Sequence, residues 1–151
     1  MNDPFHSLSD NMLVAPQIGV SEIATAKEMG VTLIINNRPD GEEPNAPQGD
    51  EIEAAAKAVG IAYISIPVTH AGFAQWQLSA MADALRANEG KILAYCRSGT
   101  RSTLLWALAQ AKRGMHPAEI ADRAAKAGYD IGPISMMIDT LAAQAAADTQ
   151  V

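Results

Sequence analysis

The sequence predicts an α/β protein with a mainly parallel central sheet flanked by helices, in a three-layer architecture. Short apolar runs with strand character alternate with helical segments along the chain. The run VTLIINN, residues 31–37, is β-branched and continuously apolar, which suits a strand buried on both faces. Glycine and proline separate the segments. Alternation of this kind indicates βαβ units, and therefore strands that run parallel.

Capping residues and helix-ending residues predict where each helix begins and ends. Ser21 is predicted as the N-cap of the first helix and Gly30 as its stop. Asp50, with a glutamate three residues later, resembles the capping box of the second helix. Pro117 marks the start of a later helix and Gly128 its end. In chain order the predicted elements are strand 13–19, helix 21–30, strand 31–37, loop 38–49, helix 50–60, strand 61–68, loop 69–74, helix 75–90, strand 91–96, helix 102–114, helix 116–128 and helix 132–147.

Length and composition predict one domain, residues 1–151, with a core over about 10–145 and flexible ends. The chain is 48% hydrophobic and 19% charged, which is typical of a globular protein. A net charge of -6 argues against nucleic-acid or anionic-membrane partners, since both require a basic face. No signal-peptide pattern and no long apolar run is present, so we expect a cytoplasmic protein.

The stretch YCRSGTRST, residues 95–103, contains the only cysteine of the chain. Cys96 ends a predicted strand, and a helix follows shortly after it. Backbone N–H groups in such a turn, together with the positive end of the helix, form an anion site. The same field favours the thiolate, which is the nucleophilic form of cysteine. We therefore predict that Cys96 is a nucleophile facing a bound oxyanion.

The neighbouring residues have predicted roles in the same loop. Gly99 allows the backbone to curl closely around the anion. Arg101 can donate to two oxygens of the oxyanion. Ser102 can donate a hydrogen bond to the thiolate or cap the helix. Arg97 is either solvated at the mouth of the site or screens substrates by charge. The predicted anion-binding loop consists of Arg97, Ser98, Gly99 and Thr100.

The loop YCRSGTRS resembles the active-site loops of rhodanese-type sulfurtransferases and cysteine-dependent phosphatases. With VTLIINNRPDGEEP and IAYISIPVTHAGF before it, the chain is similar to the N-terminal domain of bacterial beta-lactamase hydrolase-like proteins. Members of that family are described both as phosphatase-like and as sulfurtransferases. The resemblance covers roughly residues 10–145 and implies a fold like that of dual-specificity phosphatases. Because some members are fused to a persulfide dioxygenase, it also implies such an enzyme as a partner.

Two differences from the phosphatase pattern favour sulfur transfer. Four residues separate Cys96 from Arg101, as in rhodanese loops, whereas a tyrosine phosphatase loop has one more. The resemblance also places a proton-donating aspartate after a strand like IAYISIPV, where this chain has Thr69 and His70. Asp40 lies on another loop of the same predicted edge, so both Asp40 and His70 remain candidate acids.

The expected activity is therefore that of a rhodanese-type sulfurtransferase. In this hypothesis the Cys96 thiolate takes sulfane sulfur from thiosulfate or a persulfide and forms a persulfide. An external thiol or cyanide then accepts the sulfur, because the chain has no second cysteine. One alternative is a hydrolase, a cysteine-dependent phosphatase with a Cys96 phosphocysteine. A second is a non-catalytic anion-binding or thiol redox-sensing module.

Other polar and aromatic residues have less specific predictions. Arg38 is a candidate accessory residue or part of a turn, and the acidic pair at 42–43 is predicted as a solvated rim. Trp76 and Trp106 are predicted to lie in the core, because each has apolar neighbours in a helical segment. No metal-ligand pattern and no Walker loop occurs, so neither a metal nor a cofactor is predicted.

Overall fold

The computed structural model describes residues 5–69 and 71–149 of the chain. Residues 1–4, His70 and residues 150–151, which include parts of the predicted flexible ends, lie outside the described residues. The strands are β1 (His6–Ser9), β2 (Met12–Ala15), β3 (Val31–Asn36), β4 (Ala62–Ser65) and β5 (Lys91–Tyr95). The helices are α1 (Val20–Glu28), α2 (Gly49–Ala58), α3 (Gln75–Ala87), α4 (Thr100–Lys112), α5 (Pro117–Lys126) and α6 (Ser135–Thr149), the last preceded by a 3₁₀ turn (Gly132–Ile134).

The strands form one sheet in the order β1-β2-β5-β3-β4. Only β1, paired with β2, is antiparallel; the three other pairs are parallel. The predicted α/β fold with a mainly parallel sheet is therefore confirmed. Because β5 is the central strand, Cys96 emerges from the middle of the sheet. The carboxyl ends of β2, β3 and β4 lie at the same edge as that cysteine.

Helices cover both faces of the sheet and enclose two hydrophobic clusters. One cluster lies with α1 and α2, and the other lies with α3, α4, α5 and α6. Helix α4 contacts α3, α5 and α6, which explains why its sequence is apolar nearly all round. Trp106, on α4, is completely buried as predicted. Trp76 is 55% exposed, so its predicted place in the core is wrong.

Several predicted boundaries are also wrong. β1 was not predicted from the sequence, and the strand expected at 13–19 is the shorter β2. Ser21 is not a cap, because α1 begins one residue earlier with Gly19 as its N-cap, whose N–H donates to Glu22 Oε1 at 3.3 Å. The capping box expected at Asp50 is absent for a similar reason, since α2 has Gln48 as its N-cap.

None of the helices in the described part of the chain is both long and apolar enough to cross a membrane.

Candidate active site

Cys96 is held at the end of the central strand by both neighbouring strands. Its N–H donates to the carbonyl of Ala15, the last residue of β2, at 3.3 Å. The carbonyl of Tyr95 accepts the N–H of Asn37, after β3, at 2.8 Å. The thiol lies at the bottom of its loop and is 0% exposed. The position of the sulfur is thus fixed by the sheet itself.

A single glycine turns the chain from the strand into the helix. Gly99 is the N-cap of α4 and has a φ of 91°, in the left-handed region that favours glycine. Its N–H donates to Cys96 Sγ at 3.1 Å. A Cβ at Gly99 would overlap the hydroxyl of Tyr129, which itself donates to the carbonyl of Ser98 at 3.1 Å. The loop therefore closes tightly around the sulfur, with Tyr129 against its outer side.

The loop presents unpaired backbone donors close to Cys96. Among the described residues, the N–H groups of Arg97, Ser98, Arg101 and Ser102 donate to no protein acceptor. The last two belong to the first turn of α4, where N–H groups have no partner within the helix. Together with the positive end of the helix dipole, they favour an anion beside the sulfur.

Arg101 brings its guanidinium group back over the loop. Nη1 donates to the carbonyl of Val68 at 2.7 Å and to Glu42 Oε2 at 2.7 Å, and Nη2 donates to Glu42 Oε1 at 2.9 Å. The pKa of Arg101 is raised, first by the hydrogen bond to Glu42 and further by the adjacent Cys96. The guanidinium and the Cys96 side chain therefore interact electrostatically.

Glu42, expected at a solvated rim, is instead the carboxylate that binds the site arginine. Besides Arg101, it accepts a hydrogen bond from Arg38 Nε at 2.9 Å. Its hydrogen bond with Arg101 is the largest cause that lowers its pKa to about 2, and Arg38 acts in the same direction. Glu42 is therefore ionised at neutral pH and cannot supply a proton to a leaving group.

Arg38 is more than a turn residue. Its side chain is only 6% exposed and contacts three side chains. Nε donates to Glu42, Nη1 donates to Gln17 Oε1 at 2.9 Å, and Nη2 donates to Glu43 Oε2 at 3.1 Å. Arg38 thus supports Glu42, while its accessory role at the site stays a prediction.

Ser102 has a different position from the one predicted. It does not cap α4, because Gly99 does. Its hydroxyl donates to Asn37 Oδ1 at 2.8 Å, and therefore not to the sulfur. Asn37 is completely buried and donates from Nδ2 to the carbonyl of Ile66 at 2.9 Å. Asn37 was not predicted as a site residue, although a polar residue at the end of an apolar strand was a usable signal.

In the described part of the chain, the side chains of the remaining predicted residues are exposed or bind other partners than the sulfur. Asp40 is exposed, and its Oδ1 accepts the N–H of Gly49, which anchors the start of α2. Arg97 is exposed, and the hydroxyls of Ser98 and Thr100 bond to each other at 3.0 Å. Over residues 5–69 and 71–149, no cluster of three or more metal-ligating side chains is found.

Fold and site together define a class of protein. A cysteine follows the central strand of a mainly parallel sheet, its loop displays backbone amides, and an arginine from the next helix faces the sulfur. This is the arrangement of the cysteine-phosphatase fold. Residues 4–113 match the family described as the beta-lactamase hydrolase-like protein, phosphatase-like domain, and the chain belongs to that family.

Known relatives agree with this assignment. The Xylella fastidiosa (strain Temecula1) beta-lactamase hydrolase-like protein is 34% identical over 126 residues, which are 83% of this chain and 29% of that protein. The chain thus spans less than a third of the length of the curated relatives it matches.

Solved structures share the fold over nearly the whole chain. A Neisseria meningitidis protein described as a candidate phosphatase is 28% identical, with a TM-score of 0.81 over 93% of this chain and 99% of its own. The Pseudomonas aeruginosa protein TpbA, solved in complex with phosphotyrosine, is 15% identical, with a TM-score of 0.67 over 97% of this chain and 94% of its own. The expected dual-specificity-phosphatase-like architecture is confirmed.

The expected sulfurtransferase activity is wrong, because the matching family and the similar structures are phosphatase-like. The four-residue spacing between Cys96 and Arg101 does not by itself separate the two activities. The left-handed turn at Gly99 leads directly into α4, so that Arg101 lies in the first helical turn. From there its side chain still reaches Glu42, Val68 and Cys96. With four residues between Cys96 and Arg101, the arginine side chain therefore still reaches the edge of the sheet where the strands end.

Proposed function

We propose that the protein is a cysteine-dependent phosphatase acting on phosphate monoesters. The observation that supports this best is the convergence on Cys96 of unpaired loop amides and the Arg101 guanidinium. Membership in a phosphatase-like family supports the same reaction class.

The reaction has two displacement steps. The Cys96 thiolate attacks phosphorus, an S–P bond forms, and the P–O bond to the leaving group breaks. Water then attacks the phosphocysteine, the S–P bond breaks, and inorganic phosphate leaves with the thiolate restored. In both steps the loop amides and Arg101 stabilise the equatorial oxygens of the phosphoryl group.

The leaving group determines which esters are good substrates. Its oxygen departs with a negative charge and takes a proton from a general acid or from water. Of the carboxyl groups near the loop in the described part of the chain, Glu42 is held ionised and Asp40 accepts a backbone N–H, while the other candidate acid, His70, lies outside the described residues. Aryl phosphates, whose leaving groups need little protonation, are therefore the favoured substrates over alkyl phosphates.

The test compares wild-type protein with Cys96→Ser on p-nitrophenyl phosphate and on a simple alkyl phosphate. We expect the wild type to hydrolyse the aryl ester faster, with competitive inhibition by vanadate, and the variant to be inactive. A variant that retains turnover would refute the role of Cys96. Transfer of sulfur from thiosulfate to cyanide, without any phosphatase activity, would refute the proposed reaction.

A further inference from the structure

The guanidinium group of Arg101 is bound through its two terminal nitrogens, by Glu42 and by the carbonyl of Val68. A guanidinium has five N–H groups, two on each terminal nitrogen and one on Nε. Both N–H groups of Nη1 are used, one by Val68 and one by Glu42. Nη2 uses one of its two with Glu42. Within residues 5–69 and 71–149, the Nε–H and the second N–H of Nη2 donate to no oxygen or nitrogen acceptor, and they lie on one edge of the group. Two parallel N–H donors on one edge match two oxygens of a phosphoryl group.

Glu42 is itself fixed, through a chain of contacts that starts and ends on the cysteine loop. The carbonyl of Arg97 accepts the N–H of Gln17 at 3.3 Å. The Gln17 side chain accepts from Arg38, Arg38 donates to Glu42, and Glu42 binds Arg101. These hydrogen bonds connect the segments that follow β2, β3 and β5.

We infer that Glu42 is a positioning residue, which holds Arg101 so that its Nε/Nη2 edge faces the oxyanion of the substrate. This inference rests on the proposed function, because it assigns that edge to a phosphoryl group. The alternative role is that of a competitor, in which the carboxylate occupies the place of the substrate. The geometry favours positioning, since Glu42 binds the two terminal nitrogens of the guanidinium and leaves its Nε/Nη2 edge without a protein oxygen or nitrogen partner among the described residues.

Glu43 provides a matched control. It is adjacent in sequence, has the same charge and binds Arg38, but among the described residues it makes no contact with Arg101. Glu42→Gln and Glu43→Gln both remove a negative charge and a charged partner of Arg38. Only Glu42→Gln also changes the contact with Arg101, so the difference between the two variants measures that contact.

The test is tungstate binding, measured by isothermal titration calorimetry, which needs no turnover. We expect Glu42→Gln to weaken the affinity about tenfold, and Glu43→Gln to change it less than about twofold. With an aryl phosphate, kcat/KM of Glu42→Gln should fall by a similar factor. In an Arg101→Lys background, which lacks the two-donor edge, Glu42→Gln should have no further effect on tungstate affinity.

Each other outcome refutes a specific statement. Equal affinities of the wild type and Glu42→Gln, or the same loss in the Arg101→Lys background, would refute the positioning role. Tighter binding by Glu42→Gln would identify a competitor instead. A wild-type protein that binds no tungstate would refute the oxyanion site, and with it both the proposed function and this inference.

Discussion

At the scale of single residues, Gly99 satisfies two conditions that no other amino acid could meet together. Its φ of 91° is left-handed, and a Cβ would overlap the Tyr129 hydroxyl. Gly128 has a similar φ of 96° but nothing within 4 Å of a Cβ. An alanine at Gly128 would therefore introduce backbone strain alone, whereas an alanine at Gly99 would introduce both backbone strain and a steric clash.

We predict that Gly128→Ala lowers the free energy of unfolding by about 1 kcal/mol, because only the backbone is strained. Gly99→Ala should lower it by an additional ~1–3 kcal/mol, because Tyr129 and the loop must also move. Urea unfolding measures both values, and tungstate binding should be lost only in Gly99→Ala. Equal losses of stability in the two variants would contradict the close contact with Tyr129.

The residues of the site were predicted unevenly, for a physical reason. Cys96 and Arg101 belong to one short loop, so their proximity follows from local sequence alone. Glu42 and Asn37 reach the loop from after β3, across the sheet. Their roles depend on which strand lies beside β5, and periodicity carries no information about strand order. The partners of Asp40 and Ser102 in the structure, Gly49 N–H and Asn37, also depend on tertiary structure, so local sequence could not predict them.

At the scale of elements, α4 is the helix that joins the core to the site. Its first turn carries Arg101 and its middle carries Trp106, packed among α3, α5 and α6. The apolar composition of this segment predicted its central position correctly. The same reasoning failed for Trp76, because that residue lies on the exposed side of the first turn of α3. Apolar content indicates burial of a helix, but it does not determine which side of an amphipathic helix faces the core.

The two tryptophans give a prediction at this scale. Trp106→Ala should lower the free energy of unfolding by about 3–5 kcal/mol, because it leaves a large cavity in the core. Trp76→Ala should change it by less than about 1 kcal/mol, since the ring is mostly solvated. Urea denaturation with circular dichroism detection measures both. Similar losses from the two substitutions would contradict the packing of α4 described above.

At the scale of the whole molecule, four parallel strands end at one edge of the sheet, and each contributes to the site. The end of β5 supplies the cysteine, and the segment after β3 supplies Asn37, Arg38 and Glu42. Gln17 follows β2, and the Val68 carbonyl follows β4. Since the alternating pattern predicted a parallel sheet, it also predicted that these loops would meet, although not which side chains would bind each other.

The most direct test of the central claim is to look for the phosphocysteine. Wild-type protein and Cys96→Ser would be mixed with an aryl phosphate, quenched in acid within one turnover, and analysed by intact-protein and peptide mass spectrometry. If Cys96 is the nucleophile, one phosphoryl group is found on Cys96 of the wild type, is lost once the substrate is consumed, and is absent from the variant. Turnover without a phosphorylated Cys96, or with the phosphoryl group on another residue, would contradict that role of Cys96.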